Sequence, residues 1–571
     1  MGTCGSKQKR PEDKSKNGVG LGSADDVDPS DRFSDLAAGK RRPSQHLTQN
    51  LVDGEFNRHV SEVYDLRQGK ILGTGVSGVV RLVRHRDTGE QFAMKVLSLT
   101  AIEDDAQLEE LKNEVAIMGE LDHPNIMRLY ECFSNEEHLW LIMENCQGGE
   151  LLDRLNGLPE HHYDEKTAAT LVKKIVSAVR YLHLHDVVHR DLKLENFLFE
   201  SEDMESEIKL IDFGFSRHYH KGEEHMNLPV GTPFYVAPEV IGGDYTEECD
   251  MWSIGVIAYM LVSGRPPFMA AEENAILAKV QRGAYEFPRH VFDSVSDHAI
   301  DFIQRLLIVD PDKRMTAEQA QDHPWLHDWD EPPAPIKVEV VENLKKFSQL
   351  SAFHKLAHEV IAFSLQPQQI GDLRDEFHKF DTEGLGEITI QEMREVLEAS
   401  AHLPSETCDA IFESLNMDHT GKIHWVEFLA ATLRRSHMDD AHMRAAFDRM
   451  DRDHDGFISE ADVRDLVGID MTADEIHAMF NGIHVATPGK IALPEFLDYL
   501  RSEFKDGNDL GCIRSTSKRR LILTHGHSSN SLRSSDCDSG DESLPPAPVP
   551  QARGAVAYES CATLKPLTSP E

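Results

Sequence analysis

The residues of this chain best able to do chemistry together lie between His189 and Asn196, which read His-Arg-Asp-Leu-Lys-Leu-Glu-Asn. Asp191 is placed to accept a hydroxyl proton and to orient the oxygen for in-line attack on a phosphoryl group. Lys193 neutralises charge on the moving group, and Asn196 binds a metal ion. Asp212 follows in an Asp-Phe-Gly motif as the main Mg²⁺ ligand. These residue types and their spacing predict phosphoryl transfer from a magnesium-bound nucleotide.

A glycine-rich segment lies between two strand-like stretches near the start of the folded chain. It reads Leu-Gly-Thr-Gly-Val-Ser-Gly-Val-Val over 72–80, and its glycines let backbone N–H groups close over phosphates. Such turns are common and most bind nothing. This one gains weight from a Phe-Ala-Met-Lys stretch ending at Lys95, a lysine placed to reach the α- and β-phosphates. The candidate nucleotide-binding residues are Leu72, Gly73, Gly75, Gly78, Val80, Ala93, Lys95, Glu144 and Glu150.

Apolar residues recur at helical spacing between Leu108 and Met118 and predict a helix. This helix would position the lysine. Glu114 lies beside that stripe, so its carboxylate points toward the packed face. A buried carboxylate needs a partner, and Lys95 is the natural one. The alternative, an exposed glutamate on a surface helix, leaves the lysine unexplained. We therefore predict a Lys95–Glu114 ion pair.

Five motifs thus stand in one order: the glycine-rich segment, the strand lysine, His-Arg-Asp, Asp-Phe-Gly and Ala-Pro-Glu. The set resembles the protein kinase superfamily, and Lys193 together with Thr232 resembles its serine/threonine branch. The resemblance implies a two-lobed fold, with a mainly β N-lobe, a mainly α C-lobe and ATP in the cleft. It also implies that Glu239 pairs with Arg314 and that Asp250 braces the catalytic loop.

The segment from Asp212 to Glu239 carries its hydroxyl side chains mainly near its ends, and Glu223 and Glu224 stand in its middle. Kinases switched by phosphorylation place an anion in that middle region, where it pairs with the arginine before the catalytic aspartate. A fixed carboxylate would pair with Arg190 here. We expect activity without an upstream kinase.

Glu150 and Glu195 resemble acidic positions that read basic residues N-terminal to the target hydroxyl. Protein substrates are then expected to carry Arg or Lys upstream, often three residues before the serine or threonine. The chain contains such a sequence, Arg-Arg-Pro-Ser ending at Ser44. Ser44 is therefore a candidate autophosphorylation site, although an arginine pair before a serine also occurs by chance.

A fourfold repeat follows the kinase-like region. Its loops begin at nearly regular spacing, at Asp381, Asn416, Asp451 and His484. Glycine stands at position six and isoleucine at position eight of every loop, at Gly386, Gly421, Gly456, Gly489, Ile388, Ile423, Ile458 and Ile491. This is the pattern of an EF-hand, in which the glycine permits a sharp turn and the isoleucine pairs neighbouring loops.

The four loops differ in their ligands for Ca²⁺. The third is the most complete, although an aspartate replaces glutamate at position twelve and should weaken Ca²⁺ or favour Mg²⁺. The first lacks an oxygen at position five, where Leu385 stands, and the second begins with a neutral asparagine. The fourth, with His484, Ala486 and Pro488, is expected to hold no metal. The candidate ligands are Asp451, Asp453, Asp455, Phe457 (through its carbonyl), Ser459 and Asp462 in the third loop; Asp381, Glu383, Thr389 and Glu392 in the first; and Asn416, Asp418, Thr420 and Glu427 in the second.

Between kinase and repeat lies a basic amphipathic segment over 341–361, typical of a helix that a calmodulin-like groove binds. The alternative is an ordinary docking helix. Its apolar stripe is Val341, Leu344, Phe347, Leu350, Phe353, Leu356 and Val360, with Lys345, Lys346 and Lys355 off the stripe. Kinase, junction and EF-hands together resemble the calcium-dependent protein kinases of plants and protists over roughly 64–503. That family implies inhibition by the junction at rest and release by Ca²⁺.

The fold class predicted is multidomain: an α+β two-lobed kinase fold followed by an all-α EF-hand domain. The predicted regions are 1–63, a disordered segment; 64–326, the kinase; 327–368, an autoinhibitory junction; 369–503, a calmodulin-like domain with EF-hands at 375–400, 410–435, 445–470 and 478–503; and 504–571, a disordered tail.

The N-terminus fits the myristoylation pattern, with Gly2 as acceptor and Ser6 at the required position. One acyl chain binds membranes only marginally, so a second signal matters. Palmitoylation of Cys4 and the basic residues of the first sixteen positions would supply it; the alternative is a chance match in a basic tail. The protein is expected at the cytoplasmic face of a membrane and in the cytoplasm.

Composition limits the other partners. The formal charge of −40 argues against nucleic acid, whose binding needs clustered Lys and Arg. The eight cysteines have no paired spacing, which indicates a reducing, intracellular setting. Their spacing also forms no zinc motif. A monomer is expected. Two alternatives stay open: an active kinase insensitive to Ca²⁺, and a pseudokinase acting as a calcium sensor, which the intact catalytic residues oppose.

Overall fold

The computed structural model describes residues 59–502, apart from 68, 76–77, 103, 223–224, 229, 331–333, 469–470 and 482. The expectations for Gly2, Cys4 and Ser44 therefore lie outside the described residues. So does the expectation for Glu223 and Glu224.

The N-terminal lobe is an antiparallel sheet with one long helix against it. The sheet order is β1-β3-β4-β6-β5, with β2 paired to β3. After a short helix α1 (Val60–Val63), the elements are β1 (Tyr64–Asp65), β2 (Ile71–Gly75), β3 (Gly78–His85), β4 (Gln91–Ser98), α2 (Asp105–Glu120), β5 (Leu129–Ser134) and β6 (His138–Met143). The Asp104 side chain caps α2 by accepting from Gln107 N at 2.9 Å, which satisfies a donor at the start of the helix.

The second lobe is mainly helical and carries two short β ladders. Its elements are α3 (Leu151–Gly157), α4 (Glu165–Leu184), β7 (Val187–Val188), β8 (Phe197–Phe199), β9 (Ile208–Leu210), β10 (Arg217–His218), α5 (Pro238–Gly242), α6 (Glu248–Ser263), α7 (Glu273–Val280), α8 (Arg289–Phe292), α9 (Asp297–Leu306) and α10 (Ala317–Gln321). Every residue of α6 from Cys249 to Ser263 is buried, so this apolar stretch is a core helix. In the part of the chain described, no helix has the length and apolar character needed to cross a bilayer.

The junction forms two helices, α11 (Val338–Phe347) and α12 (Ala352–Ser364), where the sequence indicated one continuous stretch. The break follows from Ser351, whose hydroxyl accepts from His354 N at 3.3 Å and caps a new helix. The predicted apolar stripe survives the break, because its residues are buried on both helices except for half-buried Leu350. Rings of Phe480, Phe496 and Tyr499 pack around Phe353 of α12, so EF-hand helices enclose the junction.

The repeat folds as four helix–loop–helix units. Their elements are α13 (Pro367–Phe380), β11 (Ile388–Thr389), α14 (Ile390–Ala401), α15 (Ser405–Leu415), β12 (Lys422–Ile423), α16 (Trp425–Thr432), α17 (Asp440–Met450), β13 (Phe457–Ser459), α18 (Glu460–Val467), α19 (Ala473–Phe480), β14 (Lys490–Ala492) and α20 (Leu493–Ser502). Ile388 pairs with Ile423, and Ile458 with Ile491, as the repeat predicts. The fold class is therefore the expected one, a two-lobed kinase followed by a helical EF-hand region.

Candidate active site and calcium loops

Asp191 is held by hydrogen bonds at its side chain and its main chain. Lys193 Nζ donates to its Oδ2 at 2.5 Å, and Thr232 Oγ1 donates to its Oδ1 at 2.8 Å. Asn196 Nδ2 donates to the Asp191 carbonyl at 2.9 Å. The carboxylate therefore already accepts a hydrogen bond from one hydroxyl group. A general base makes the same interaction with a substrate hydroxyl before it takes the proton.

An unusual backbone conformation orients the two catalytic aspartates, at Arg190 directly before Asp191 and at Asp212 itself. Arg190 and Asp212 have positive φ angles of 69° and 65°, which persist in non-glycine residues only where the surroundings enforce them. Around Arg190 the enforcing group is Asp250, which accepts from Arg190 N at 2.8 Å and from His189 N at 2.9 Å. Burial raises the pKa of Asp250, but hydrogen bonds from His183 and His189 outweigh it and lower that pKa. Asp250 thus braces the catalytic loop.

The expected ion pair is formed: Lys95 Nζ lies 2.7 Å from Glu114 Oε1. Lys95 is on β4 opposite Val80 of β3, and Glu114 is on α2. At the start of β3, Gly78 has a φ of 136°, and a Cβ there would stand 2.4 Å from the carbonyl oxygen of Val96. Only glycine fits this approach, so the residue type is fixed by how closely the glycine-rich turn lies on β4.

The other nucleotide-binding candidates line the same strands. Leu72, Gly73 and Gly75 lie on β2, while Ala93 is buried on β4 opposite Met143 of β6. The sheet therefore brings together residues that are separate in the sequence. Their contact with a nucleotide stays a prediction.

The Glu144 side chain does not have the place expected of a nucleotide contact. Its carboxylate is buried and lies 2.9 Å from Lys209 Nζ. Lys209 lies 3.4 Å from Glu200, and both oxygens of Glu200 accept from Arg374, at 2.7 and 2.9 Å. A buried charge pairs with the nearest opposite charge, so only the main chain of Glu144 is left for the nucleotide.

Glu150 and Glu195 belong to one acidic cluster. Burial raises the pKa of Glu150, and the charges of Asp153 and Glu195 raise it further. Burial also raises the pKa of Glu195, whose Oε2 accepts from Tyr235 at 3.3 Å. Carboxylates that crowd in this way favour a nearby cation. Sequence reasoning missed Asp153, although its place three residues after Glu150 was a signal.

The Arg190 side chain has partners of its own. Its Nε donates to the Phe215 carbonyl at 2.5 Å, and Nη1 donates to the Tyr245 hydroxyl at 3.3 Å. The expected carboxylates lie outside the described residues, so that pairing stays a prediction. The pair implied at the end of the segment is formed, because Glu239 accepts from Arg314 at 2.5 and 2.9 Å.

The third loop brings metal-binding groups together. Asp451, Asp453 and Asp462 offer ligand oxygens that all lie within 4.8 Å of one another. Burial raises the pKa of Asp451, and the charge of Asp462 adds to the rise. Since Ca²⁺ prefers carboxylate oxygens at several positions of one loop, these groups fit that ion.

The remaining third-loop candidates have partners within the hand pair. Asp455, at position five, forms an ion pair with Lys490 of the fourth loop. Ser459, at position nine, donates to Asp462 at 2.5 Å, and Phe457 lies on β13. In the fourth loop, Glu495 accepts from Ala486 N at 2.6 Å. That carboxylate therefore supports the loop itself, in keeping with the hand expected to be empty.

The first loop is tied to the kinase. Ser177 donates to the Gly384 carbonyl at 2.8 Å, and Leu385 is buried. Asp381 accepts from the backbone N–H groups of Leu385 and Gly386 at 2.7 and 2.8 Å, and burial raises its pKa to about 7. Glu392 accepts from Glu383 N at 2.9 Å. Within the described residues, three ligand groups come together in the second and third loops only, so the first loop does not gather its candidates.

The second loop gathers a different set. Asp418, His424 and Glu427 lie within 4.8 Å of one another by their ligand atoms. Asn416 Oδ1 accepts from Gly421 N at 3.2 Å. Burial lowers the pKa of His424, but a hydrogen bond to Asp418 and the charges of Glu427 and Glu387 raise it to about 9. Sequence reasoning missed His424, although it stands at position nine of the loop.

The EF-hand region and the end of the junction contact both kinase lobes through hydrogen bonds and ion pairs. They join Glu90 to His442, Asp122 to Val426, Tyr130 to Leu365, Glu131 to Arg449, Ser177 to Gly384, His185 to Glu387 and Glu200 to Arg374. None of these kinase residues is Asp191 or one of its hydrogen-bond partners Lys193, Thr232 and Asn196. Regulatory and catalytic halves thus meet through a surface distinct from Asp191 and its partners.

Comparison with known proteins finds similarity along most of the chain. A protein kinase domain family matches residues 66–326, and an EF-hand domain pair matches 384–435. Calcium-dependent protein kinase 17 of Arabidopsis thaliana is 36% identical over 440 residues, which cover 76% of this chain and 83% of that protein. Calcium-dependent protein kinase 34 of the same plant is 33% identical over 527 residues, covering 89% and 98%. Calcium-dependent protein kinase 3 of Plasmodium berghei is 32% identical over 483 residues, covering 82% and 86%.

Proposed function

Because this chain belongs to the calcium-dependent protein kinase family, we propose that it phosphorylates serine or threonine in proteins with basic residues before the target, under control of Ca²⁺ bound to the third hand. The observation that carries the substrate preference is the acidic cluster of Glu150, Asp153 and Glu195 beside the catalytic loop. An arginine guanidinium relieves the mutual repulsion of these carboxylates and pairs well with them.

The residues of the cleft fit the proposed phosphoryl transfer. Asn196 and Asp212 offer the oxygen ligands that Mg²⁺ prefers, and Asn196 uses its Nδ2 on the Asp191 carbonyl, which leaves Oδ1 for the metal. Mg²⁺ and ATP, when bound, supply the activated phosphoryl group. Asp191 accepts the proton of the substrate hydroxyl at its carboxylate, and Lys193 offsets the negative charge nearby. Glu114 holds Lys95 in position for the phosphates.

Control by Ca²⁺ is supported by the position of α17. This helix ends at Met450, directly before the ligand Asp451. Arg449, on its last turn, pairs with Glu131 of β5, and His442 on the same helix lies 3.0 Å from Glu90 of the N-lobe. Ca²⁺ in the third loop would fix the end of α17 and with it these two contacts to the N-lobe. We infer that this arrangement, in which EF-hand rings pack around Phe353 of α12, keeps the junction off the cleft.

A kinase assay across free Ca²⁺ tests both parts of the proposal. It compares a serine peptide carrying Arg three residues upstream with one carrying Ala there, and Asp191→Asn serves as the blank. We expect activity to rise with Ca²⁺ and the Arg peptide to be preferred. A flat response to Ca²⁺ would instead support the calcium-insensitive alternative.

The acidic cluster is tested by the double variant Glu150→Gln with Glu195→Gln. Loss of charge-assisted contacts should raise the KM for the Arg peptide by about tenfold or more. The KM for the Ala peptide should change little. Glu160→Gln is the matched control, since Glu160 is an exposed glutamate of the same lobe. Equal changes for both peptides would contradict a role in reading basic residues.

The N-terminal acylation at Gly2 and Cys4 is part of the same proposal, and its support is the sequence pattern alone. Gly2→Ala should move the protein from the membrane fraction to the soluble fraction after fractionation. Unchanged pelleting would refute the anchor. Mapping phosphorylated residues after incubation with ATP tests Ser44 as an autophosphorylation site.

A further inference from the structure

The second EF-hand loop carries a histidine at a ligand position. His424 is the ninth residue counted from Asn416. Its Nε2 lies 3.3 Å from Asp418 Oδ2 and 3.3 Å from Thr420 Oγ1. The ligand atoms of Asp418, His424 and Glu427 all lie within 4.8 Å of one another, and His424 and Glu427 are each 7% exposed. The imidazole therefore points among the groups that surround a cation in an EF-hand.

The other nitrogen of this imidazole lies near a carboxylate. His424 Nδ1 lies 3.4 Å from Glu387 Oε1, across the ladder in which Ile388 pairs with Ile423. Lys422 forms an ion pair with Glu387 and keeps that carboxylate in place. Histidines that bind metals commonly present their second N–H to a carboxylate, which fixes the ring and its tautomer. A metal bound at Nε2 would replace the proton that this nitrogen shares with Asp418.

An independent observation comes from the junction helix α12. Glu359 on this helix is 4% exposed, and its Oε1 has no hydrogen-bond partner. Its helix packs against α16, which carries the proposed ligand Glu427. A buried carboxylate oxygen without a partner is costly. A cation held by the second loop would compensate that oxygen.

These groups suit one class of metal better than another. Ca²⁺ takes about six to eight oxygen ligands, whereas here a nitrogen stands at position nine and neutral Asn416 at position one. Imidazole combined with carboxylates is the ligand set of Zn²⁺ and related transition-metal ions. We propose that the second hand binds a transition-metal dication of the zinc class through His424 Nε2, Asp418 and Glu427, and not Ca²⁺.

Such a site has a structural role in the regulatory half. Its ligands lie on the second hand, Glu359 belongs to the junction, and Glu387 also lies 3.2 Å from His185 of the kinase. One ion would therefore stabilise three parts of the chain at once. It acts as a brace that does not depend on the Ca²⁺ level.

The experiment uses the full-length protein, stripped of metal by chelation, with Co²⁺ as a visible-absorbing probe for zinc-class sites. Wild-type protein should give a ligand-field spectrum that one equivalent of Zn²⁺ removes and that an equal concentration of Ca²⁺ leaves unchanged. His424→Asp, which puts an oxygen at position nine, should weaken Co²⁺ binding at least about tenfold. His419→Asn is the matched control, because His419 is an exposed histidine of the same loop with a positive φ that Asn tolerates.

A second variant separates metal binding from folding. Glu387→Gln keeps all three ligands and removes the carboxylate behind His424, so it should weaken Co²⁺ about 10- to 100-fold. Ca²⁺ titration of the third hand reports that each variant is folded. A Co²⁺ spectrum that survives both His424→Asp and Glu387→Gln would overturn the proposal. Displacement of Co²⁺ by an equal concentration of Ca²⁺ would overturn it as well.

Discussion

The first and third EF-hand loops share one frame in two different surroundings. Both have glycine at position six with a positive φ, 74° at Gly386 and 88° at Gly456, and isoleucine at position eight in a two-stranded ladder. A Cβ on Gly386 would stand 2.0 Å from the ring of His123 in the kinase, whereas a Cβ on Gly456 would meet nothing within 4 Å. The first loop is pressed against the kinase, and the third has open space at the same position.

The residue at position five accounts for the different roles of the two hands. Leu385 occupies the position where an oxygen ligand is needed, and this apolar side chain is buried. The third loop keeps Asp455 at the equivalent position. The residue that weakens the first loop as a metal site thus helps to bury it. The first hand therefore docks on the kinase, and the third keeps the ligands for the proposed response to Ca²⁺.

The largest expected effect comes from breaking the attachment of the first hand at Arg374, on its entering helix α13. Arg374→Met removes both guanidinium hydrogen bonds from buried Glu200 and leaves it only Lys209 at 3.4 Å, and breaking a buried pair in this way costs about 3–5 kcal/mol. Urea unfolding of the Ca²⁺-free protein measures that loss in the free energy of unfolding. Arg394→Met is the control, since its pair with Asp409 is far more exposed. Equal losses for both variants would show that the buried pair has no special part in docking.

The two glycines offer a direct test of the comparison. Gly386→Ala and Gly456→Ala share the cost of a side chain at positive φ, about 1–2 kcal/mol. Only Gly386→Ala also forces a methyl group against His123, which adds about 1–3 kcal/mol. Thermal or urea unfolding should therefore rank Gly386→Ala as the less stable variant. A similar stability for the two would contradict the close contact.

Sequence reasoning succeeded where the chemistry is local. Lys95 and Glu114 are 19 residues apart, and a helical stripe beside a strand lysine was enough to predict their ion pair. The pairing of the EF-hand isoleucines followed from a repeat with one residue type at one loop position. In both cases the signal lies in spacing along the chain.

It failed where partners are distant. Glu200 and Arg374 are 174 residues apart, and nothing near either residue marks the other as its partner. For the same reason the sequence could not show that Lys209 takes up the Glu144 carboxylate. The position of His424 in its loop was readable, but the approach of its Nε2 to Asp418 Oδ2 depends on how the loop folds.

Position twelve is Asp462 in the third loop and Glu392 in the first, so substitutions there test which of the two loops binds Ca²⁺. Asp462→Glu gives the third loop the longer side chain that reaches the ion with both oxygens, and should tighten Ca²⁺ binding by about tenfold. Calorimetric titration of the full-length protein measures this. Glu392→Asp makes the reverse change in the first loop, and it should leave the Ca²⁺ titration unchanged. Weaker Ca²⁺ binding in Glu392→Asp would assign the first loop a metal after all.

The smallest expected effect concerns the competition for Asp455. Lys490 of the fourth loop forms an exposed ion pair with this ligand, so Ca²⁺ must displace a lysine to use position five. Lys490→Gln should tighten Ca²⁺ binding by no more than about fivefold, because exposed ion pairs are weak. The gain should shrink at high salt, which screens the pair in the wild-type protein. Lys313→Gln, which removes an exposed lysine paired with Asp310 in the kinase, is the control and should leave Ca²⁺ binding unchanged. A gain that persists at high salt would mean that Lys490 opposes Ca²⁺ through the shape of the loop and not through its charge.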